Sequence, residues 1–501
     1  MLTTLHQPGA LFGSSCLATT LSLLLIAPEP VIASELSHAG PLFDQFHLTL
    51  EEGHRTEAMG PFFYRERADT QRAWGLPPLF ARAWDMAADV NEMDFLYPVA
   101  KYRRYGTEYR WDIMEVFSFA GGDDQQGARA RRFTLFPIYF QQRSPDSNQN
   151  YTAFVPFYGH LQNRLFRDEI FFVMFPIYGQ SRKGNVVTDN YVYPIFHLRH
   201  GEALRGWQFW PLLGHEHKDP TRRSIGFGDT EVVGGHDGWF VLWPFFFDQK
   251  SGIGTENPTK EQALLPIYDY QRSPLRDSTT VGWPFFTHVT DREKHFRELD
   301  CPWPLIVFAR GEGKTTSRVF PFYSHAQNTN LESTFYLWPV YKMNRAHGGT
   351  LDRTRTRILF FLYSDTVEKD TASGEYRRRI DCLPFFTMTR TLSGARRLQI
   401  LAPLEPFVPG NPSVEREYSP VWSVWRSESN PVTHAASQSF LWNLYRHESR
   451  PGAKRTSALF GLYQYKSGSE GTRLSVMYIP IINNSRQTRR AAELPRGGDG
   501  R

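Results

Sequence analysis

The residues of this chain best spaced for chemistry are His215 and His217, which flank Glu216. In an extended strand, side chains two residues apart share a face. Both imidazoles would therefore point to one side, and His236-Asp237 follows in the same segment. Alternating histidines can ligate a transition metal, but a catalytic zinc site takes three protein ligands and a structural site four. His215 and His217 are thus a candidate pair of metal ligands without a completed set, and nothing else calls for a cofactor.

Gly311-Glu312-Gly313-Lys314-Thr315 ends like a phosphate-binding loop. That motif needs a further glycine where Phe308 stands, and a strand leading into a helix. No helical pattern follows, so a polar turn between strands is expected. Asp123-Asp124 and Asp168-Glu169 are adjacent carboxylates, but glycoside hydrolysis needs two carboxyls at a set separation across a cleft. No Gly-x-Ser-x-Gly elbow presents a nucleophile. No catalytic residue is assigned, and an envelope hydrolase is the lesser reading.

These residues sit within a chain of 501 residues, of which 41% are hydrophobic, 22% charged and 15% aromatic. Such a composition builds a core and is not that of a disordered chain. The net charge of +5 is small for this length, so no nucleic-acid partner is expected. Arg129-Ala130-Arg131-Arg132 and Arg377-Arg378-Arg379 could meet anionic lipopolysaccharide, or simply end solvated strands.

One phrase recurs throughout: apolar residues, then Trp, Phe or Leu, then Pro, an apolar residue and Tyr or Phe. Leu135-Phe136-Pro137-Ile138-Tyr139, Leu242-Trp243-Pro244-Phe245-Phe246 and Leu337-Trp338-Pro339-Val340-Tyr341 are examples. There are about 22 such phrases with a mean step of about 20 residues, the signature of one repeat architecture rather than several domains. The longest step, from Pro211 to Pro244, holds a Gly- and charge-rich insertion over 212–238.

Aromatic and β-branched residues in short runs predict one strand per phrase. The fold class is therefore all-β, an antiparallel meander of about 22 strands, bent at proline because a central-strand Pro removes a ladder hydrogen bond. A sheet that wide would close into a barrel-like wall; a β-solenoid or stacked small sheets are the alternatives. A strand of about 11 residues is about 36 Å long and, tilted by about 40°, would stand about 28 Å tall, near the thickness of a hydrocarbon core. Against a water-filled pore, both faces of such strands are apolar at the centre. The one helix expected outside the N-terminus covers Arg82–Asn91.

Residues 1–33 read as an export signal, with an apolar run from Cys16 to Ile26 and Val31-Ile32-Ala33 before Ser34. The β-repeat domain then covers 34–486, and 487–501 form a polar tail. Many outer-membrane barrels end instead on an aromatic residue of the last strand. After the signal only Cys301 and Cys382 remain, and two free thiols are expected.

Asp189-Asn190-Tyr191, Arg199-His200-Gly201, Gly206-Trp207-Gln208-Phe209-Trp210-Pro211 and Ala309-Arg310-Gly311-Glu312-Gly313-Lys314-Thr315-Thr316-Ser317-Arg318, with the aromatic-proline repeats, resemble a group of uncharacterised exported bacterial envelope proteins. The resemblance covers most of the chain and implies an envelope setting without supplying an activity. The expected function is a non-catalytic, barrel-like protein of the outer membrane with a structural, transport or ligand-binding role. The alternative is a soluble periplasmic or secreted module that binds carbohydrate or another envelope ligand. The expected partners are the outer membrane or envelope glycan and lipid.

Overall fold

The structure, a computed structural model, describes residues 42–123, 129–226, 229–469 and 471–485. The export signal expected over 1–33 and the polar tail over 487–501 lie outside the described residues.

A single 43-stranded sheet runs from Asp44–His47 to Ile479–Ser485. Its pairings join successive strands antiparallel, as in Arg167–Val173 with Tyr178–Lys183, then Val186–Tyr191, then Phe196–Gly201. This is the expected all-β meander, without the parallel pairing of a solenoid. Between Leu213–Lys218 and Gly235–Val241, which pair directly, Thr221–Gly226 and Asp229–Val233 form a separate two-stranded hairpin. That hairpin accounts for the long step between Pro211 and Pro244.

The strand count differs from the expectation, and the cause is the phrase itself. Most strands are short, six residues in Val186–Tyr191 and Phe196–Gly201, and among the described residues none exceeds the eight of Leu351–Ile358. The aromatic-proline phrase is a turn between two strands rather than the middle of one. Each period of about 20 residues is thus a whole hairpin plus two connections. A proline lacks the N–H a ladder needs, and in several of these turns the residue two before it takes the left-handed conformation: φ is +49° at Met174, +50° at Leu242 and +47° at Leu337. Pro137, Pro176, Pro211, Pro244, Pro284 and Pro339 all follow cis peptide bonds.

The segment Arg82–Asn91 is a hairpin rather than a helix. Phe80–Asp85 pairs with Val90–Phe95, and the Asp85 carboxylate accepts hydrogen bonds from the Ala87 and Ala88 N–H groups. An aspartate that satisfies the backbone just after itself favours a turn over helix propagation. Helix appears instead in a long connection near the C-terminus, as α1 (Pro412–Glu417) and α2 (Ser419–Trp422). Asn411 caps α1 by accepting from the Ser413 and Val414 N–H groups, and Pro412 occupies its first turn.

The ribbon has two unlike faces. One face carries α1, whose Arg416 pairs with Glu92 and Asp94 and whose Ser413 accepts from Arg103. It also holds a small core of Phe140, Tyr151, Ala153, Leu161 and Phe172. Large rings lie over glycines of neighbouring strands here. A Cβ added at Gly159 would stand 2.6 Å from the Ala153 Cβ and within the Phe172 ring, and one at Gly214 would meet the Phe240 ring.

The first strand also lies against this face. Arg455 Nη1 donates to the Gln45 carbonyl at 2.8 Å and Arg450 Nη2 to the Leu48 carbonyl at 2.6 Å. Asn430 donates to Leu50, the Thr49 hydroxyl to Ser437, and Asn443 to Glu57. The Arg446 guanidinium stacks on the Phe46 ring at 3.4 Å. Among the described residues, Asp44–His47 shares a ladder only with Gly53–Ala58, and Ile479–Ser485 only with Gly471–Val476.

Candidate functional site

In a meander whose period is one hairpin, every second connection falls on the same edge. The aromatic-proline turns therefore line one long edge of the ribbon, and the polar turns line the other. Gly184-Asn185, Glu202-Ala203, Glu312-Gly313 and Thr329-Asn330 belong to the polar edge. The motif Gly311–Thr315 is such a turn, with Gly313 at φ +72°. The apolar edge exposes Met174, Phe175, Ile177, Leu242, Trp243, Phe245, Leu337, Trp338 and Val340, among others.

The N–H groups of this edge are satisfied within it. Leu242 N–H donates to the Leu212 carbonyl, Trp243 N–H to Pro211, and Phe245 N–H to Leu242, each at 2.7–2.8 Å. Pro244 has no N–H to satisfy. The arrangement repeats in the next copies: Met174 to Phe157, Phe175 to Pro156 and Ile177 to Met174; then Val192 to Ile177, Tyr193 to Pro176 and Ile195 to Val192. It recurs with Leu337 to Phe322, Trp338 to Pro321 and Val340 to Leu337. The ladder thus continues through the turns, each turn donating to the one before, and proline occupies the position that would otherwise present a donor to the surroundings.

Aromatic side chains follow the same order. Phe175 packs on Tyr193 at 5.6 Å between centroids, Trp210 on Trp243 at 6.2 Å, and Phe320 on Trp338 at 5.5 Å. Directly above the turns, on the face opposite α1, cross-strand register forms a second row. It runs Tyr178, Tyr191, Phe196, Phe209, Leu213, Val241, Phe246, Leu264, Tyr268 and Val281 along consecutive strands of the main sheet. The same row continues later as Tyr323, Tyr336, Tyr341, Ile358 and Tyr363. On the α1 face the adjacent row is mixed: Phe240 and Phe247 are followed by Ala263, Asp269, Thr280 and Thr287 on successive strands. The apolar edge is therefore apolar on its turns and continuously so on the face opposite α1, while on the α1 face rings alternate with small and polar residues.

A second concentration of chemistry lies under α1. Asp94 is fully buried, between Arg103 at 2.7 Å and Arg416 at 3.3 Å. Glu417 is also fully buried; its Oε2 accepts from the Tyr97 N–H at 2.9 Å and its Oε1 has no partner. Burial pushes its carboxyl up to about 7, with Asp94 adding to the rise and Arg416, Arg103 and the Tyr97 N–H opposing it. A cavity of about 450 Å³ opens nearby, lined by Arg55, Tyr64, Glu66, Arg397, Glu415 and Glu428 among others. Several of its charges are paired: Arg55 with Glu57 and Glu66, and Arg397 with Glu415. Nothing in the sequence pattern marked this cluster, because its members are about 320 residues apart along the chain.

The structure brings His215 and His217 together on one face as expected, but both turn to the same carboxylate. Asp237 Oδ1 lies 3.2 Å from His215 Nε2 and 3.0 Å from His217 Nδ1, and His217 Nε2 lies 3.2 Å from Asp219. Hydrogen bonds to Asp237 and Asp219 raise the His217 pKa. Among the described residues, no group of three His, Cys, Asp or Glu is placed to hold a metal ion. Cys301 and Cys382 are free. Arg377, Arg378 and Arg379 pair with Glu368, Asp365 and Asp381. No helix of the described residues is long and apolar enough to cross a membrane.

Compared with known proteins, the chain matches no family model and no curated protein.

Proposed function

We propose that this is a non-catalytic protein of the bacterial cell envelope that immerses its edge of aromatic-proline turns in one leaflet of a membrane, the outer membrane being the expected one. The observation that carries this reading is the hydrogen bonding of that edge. In hydrocarbon, each unpaired backbone polar group costs several kcal/mol. A soluble protein has no need to satisfy the N–H groups of exposed turns internally, since water would serve them. Here the N–H groups of the repeated turns donate to the preceding turn or within their own, and the remaining position is proline. The row of Tyr, Phe and Val above the turns has the character of an interfacial aromatic belt.

Strand length argues for immersion rather than crossing. Six residues at about 3.3 Å each reach about 20 Å, short of a hydrocarbon core of about 30 Å. The polar edge would stay in water, with the apolar edge entering by about 10 Å, the depth of an interfacial element.

Barrel-like closure belongs to the same proposal. With 43 strands spaced about 4.8 Å apart, the ribbon is about 200 Å around. We place its seam where the first strand meets Arg450, Arg455 and Asn443. Such a seam joins an edge to a face through side chains rather than through a ladder. The role would be structural, or passage or binding of an amphipathic ligand.

The test is flotation of the purified protein with phosphatidylcholine vesicles, alongside Trp243→Glu/Trp338→Glu. The wild type should float and the variant should remain below with an unchanged far-UV spectrum. A wild type that stays in the dense fraction would end this reading. The polar cavity beside α1 favours a second reading, a soluble periplasmic or secreted binding module, under which carbonate washing would release the protein without detergent.

A further inference from the structure

We propose that the face opposite α1 carries a belt that binds anionic, phosphate-bearing lipid headgroups of the membrane holding the apolar edge; this rests on the immersion reading above. Six cations define it: Arg205, Lys250, Lys260, Arg272, Arg310 and Arg396. Each stands four residues along its own strand from a member of the apolar row, respectively Phe209, Phe246, Leu264, Tyr268, Ile306 and Ile400. Four residues keep a side chain on the same face and place it about 13 Å further from the turns. The belt therefore runs parallel to the apolar edge at one height. With the edge immersed by about 10 Å, that height is in or just outside the headgroup layer, within a Debye length of the phosphates.

Register makes the belt unfavourable unless something negative meets it. Lys250 lies directly opposite Lys260, and Lys260 directly opposite Arg272. Arg310 faces Arg297, and Arg396 faces Arg390. Like charges directly opposite on neighbouring strands repel. All six belt cations are exposed, and none forms an ion pair among the described residues. The acids next to them in the row are engaged elsewhere: Asp237 holds His215 and His217, and Asp277 holds Arg292. Asp248, two residues from Lys250 on the same face, accepts from Gln262, while Glu261 and Glu298 project from the other face, beside Asp269 and Asp300. The acids on the belt face are thus held by other partners, and its six cations stand on the face that also carries the aromatic row. An array of anions at fixed height is what a leaflet of anionic lipid provides, and polybasic segments gain from it in proportion to their charge.

Vesicle partitioning at low salt tests the belt, comparing phosphatidylcholine alone with phosphatidylcholine containing phosphatidylglycerol at about 30%. The wild-type protein should partition tenfold or more into the anionic vesicles, and about 0.5 M salt should erase the difference. Lys250→Gln/Lys260→Gln/Arg272→Gln should lose most of that preference and still float with neutral vesicles. Lys250→Arg/Lys260→Arg should keep it. Equal partitioning of the wild type into both vesicles, or a neutral variant that retains the preference, would overturn the belt while leaving immersion standing. Absence from both vesicles would overturn immersion and the belt with it. Polyphosphate added to the anionic vesicles separates the sources: displacement at charge-equivalent amounts would mean that soluble phosphate, not the leaflet, is the ligand, and would overturn the lipid assignment.

Discussion

The Trp338 N–H donates to the carbonyl of Pro321 at 2.7 Å, joining two turns seventeen residues apart as though they were strands of one ladder. The same bond links Trp243 to Pro211 and Tyr193 to Pro176. An aromatic residue is held on an exposed edge while its N–H is paired, and proline supplies the acceptor without adding a donor.

Replacing that proline separates the two properties. Pro339→Ala leaves the side-chain surface apolar but introduces one N–H at the edge. It should weaken vesicle binding tenfold or more, beyond any loss of stability in water, because the donor is unpaired in hydrocarbon. Chemical denaturation and flotation on the same preparation check both halves.

The glycines under aromatic rings are packing residues. Gly159→Ala should destabilise the protein by about 1–3 kcal/mol, because its Cβ would meet both Phe172 and Ala153 with no free direction. Gly184→Ala sits where no atom lies within 4 Å of the new Cβ, but φ there is +57°; its smaller loss would come from backbone conformation alone. Urea midpoints of the two variants distinguish the causes.

Glu417 makes stability depend on pH in a defined direction. Its folded pKa of about 7 lies above the ordinary 4.5. Below pH 4.5 the group is protonated in both states and carries no penalty. As pH rises from 4.5 to 7 the unfolded chain releases the proton first, so the contribution to stability falls across that window and is level above it. Glu417→Gln should therefore raise stability at pH 8 by about 1–3 kcal/mol and change it little at pH 4.5. Denaturant titrations at the two pH values measure this.

The contacts of the first strand protect its edge. Arg450→Ala/Arg455→Ala removes two charged donors from the Leu48 and Gln45 carbonyls. Each such bond contributes about 1.5–3 kcal/mol, and the freed edge becomes a template for another chain. Faster proteolysis within 44–58 and a larger species by light scattering are the expected outcomes.

Asp237 holds both histidines. In Asp237→Asn the His217 pKa should fall toward the ordinary 6.5, since the first cause of its rise is the Asp237 hydrogen bond. An NMR titration of the imidazole protons reads the change.

The sequence by itself determined the all-β class, the regular period and the polar turn at Gly311–Thr315, because aromatic and β-branched runs punctuated by turn formers admit little else. It could not count the strands. Trp338, Pro339 and Val340 read as strand by composition, yet they turn, because only in the folded chain does the Trp338 N–H find the carbonyl of Pro321 and the Val340 N–H that of Leu337, while Pro339 has no N–H to place. It could not place Arg82–Asn91 either, where the Asp85 carboxylate binding the next N–H groups outweighs the helix preference of Ala87 and Ala88. Two things were decided by tertiary structure alone. One is the alignment of every second turn on one edge, which follows from antiparallel pairing in series. The other is the meeting of Glu417 with Tyr97 and Asp94, which brings together residues that no local pattern relates.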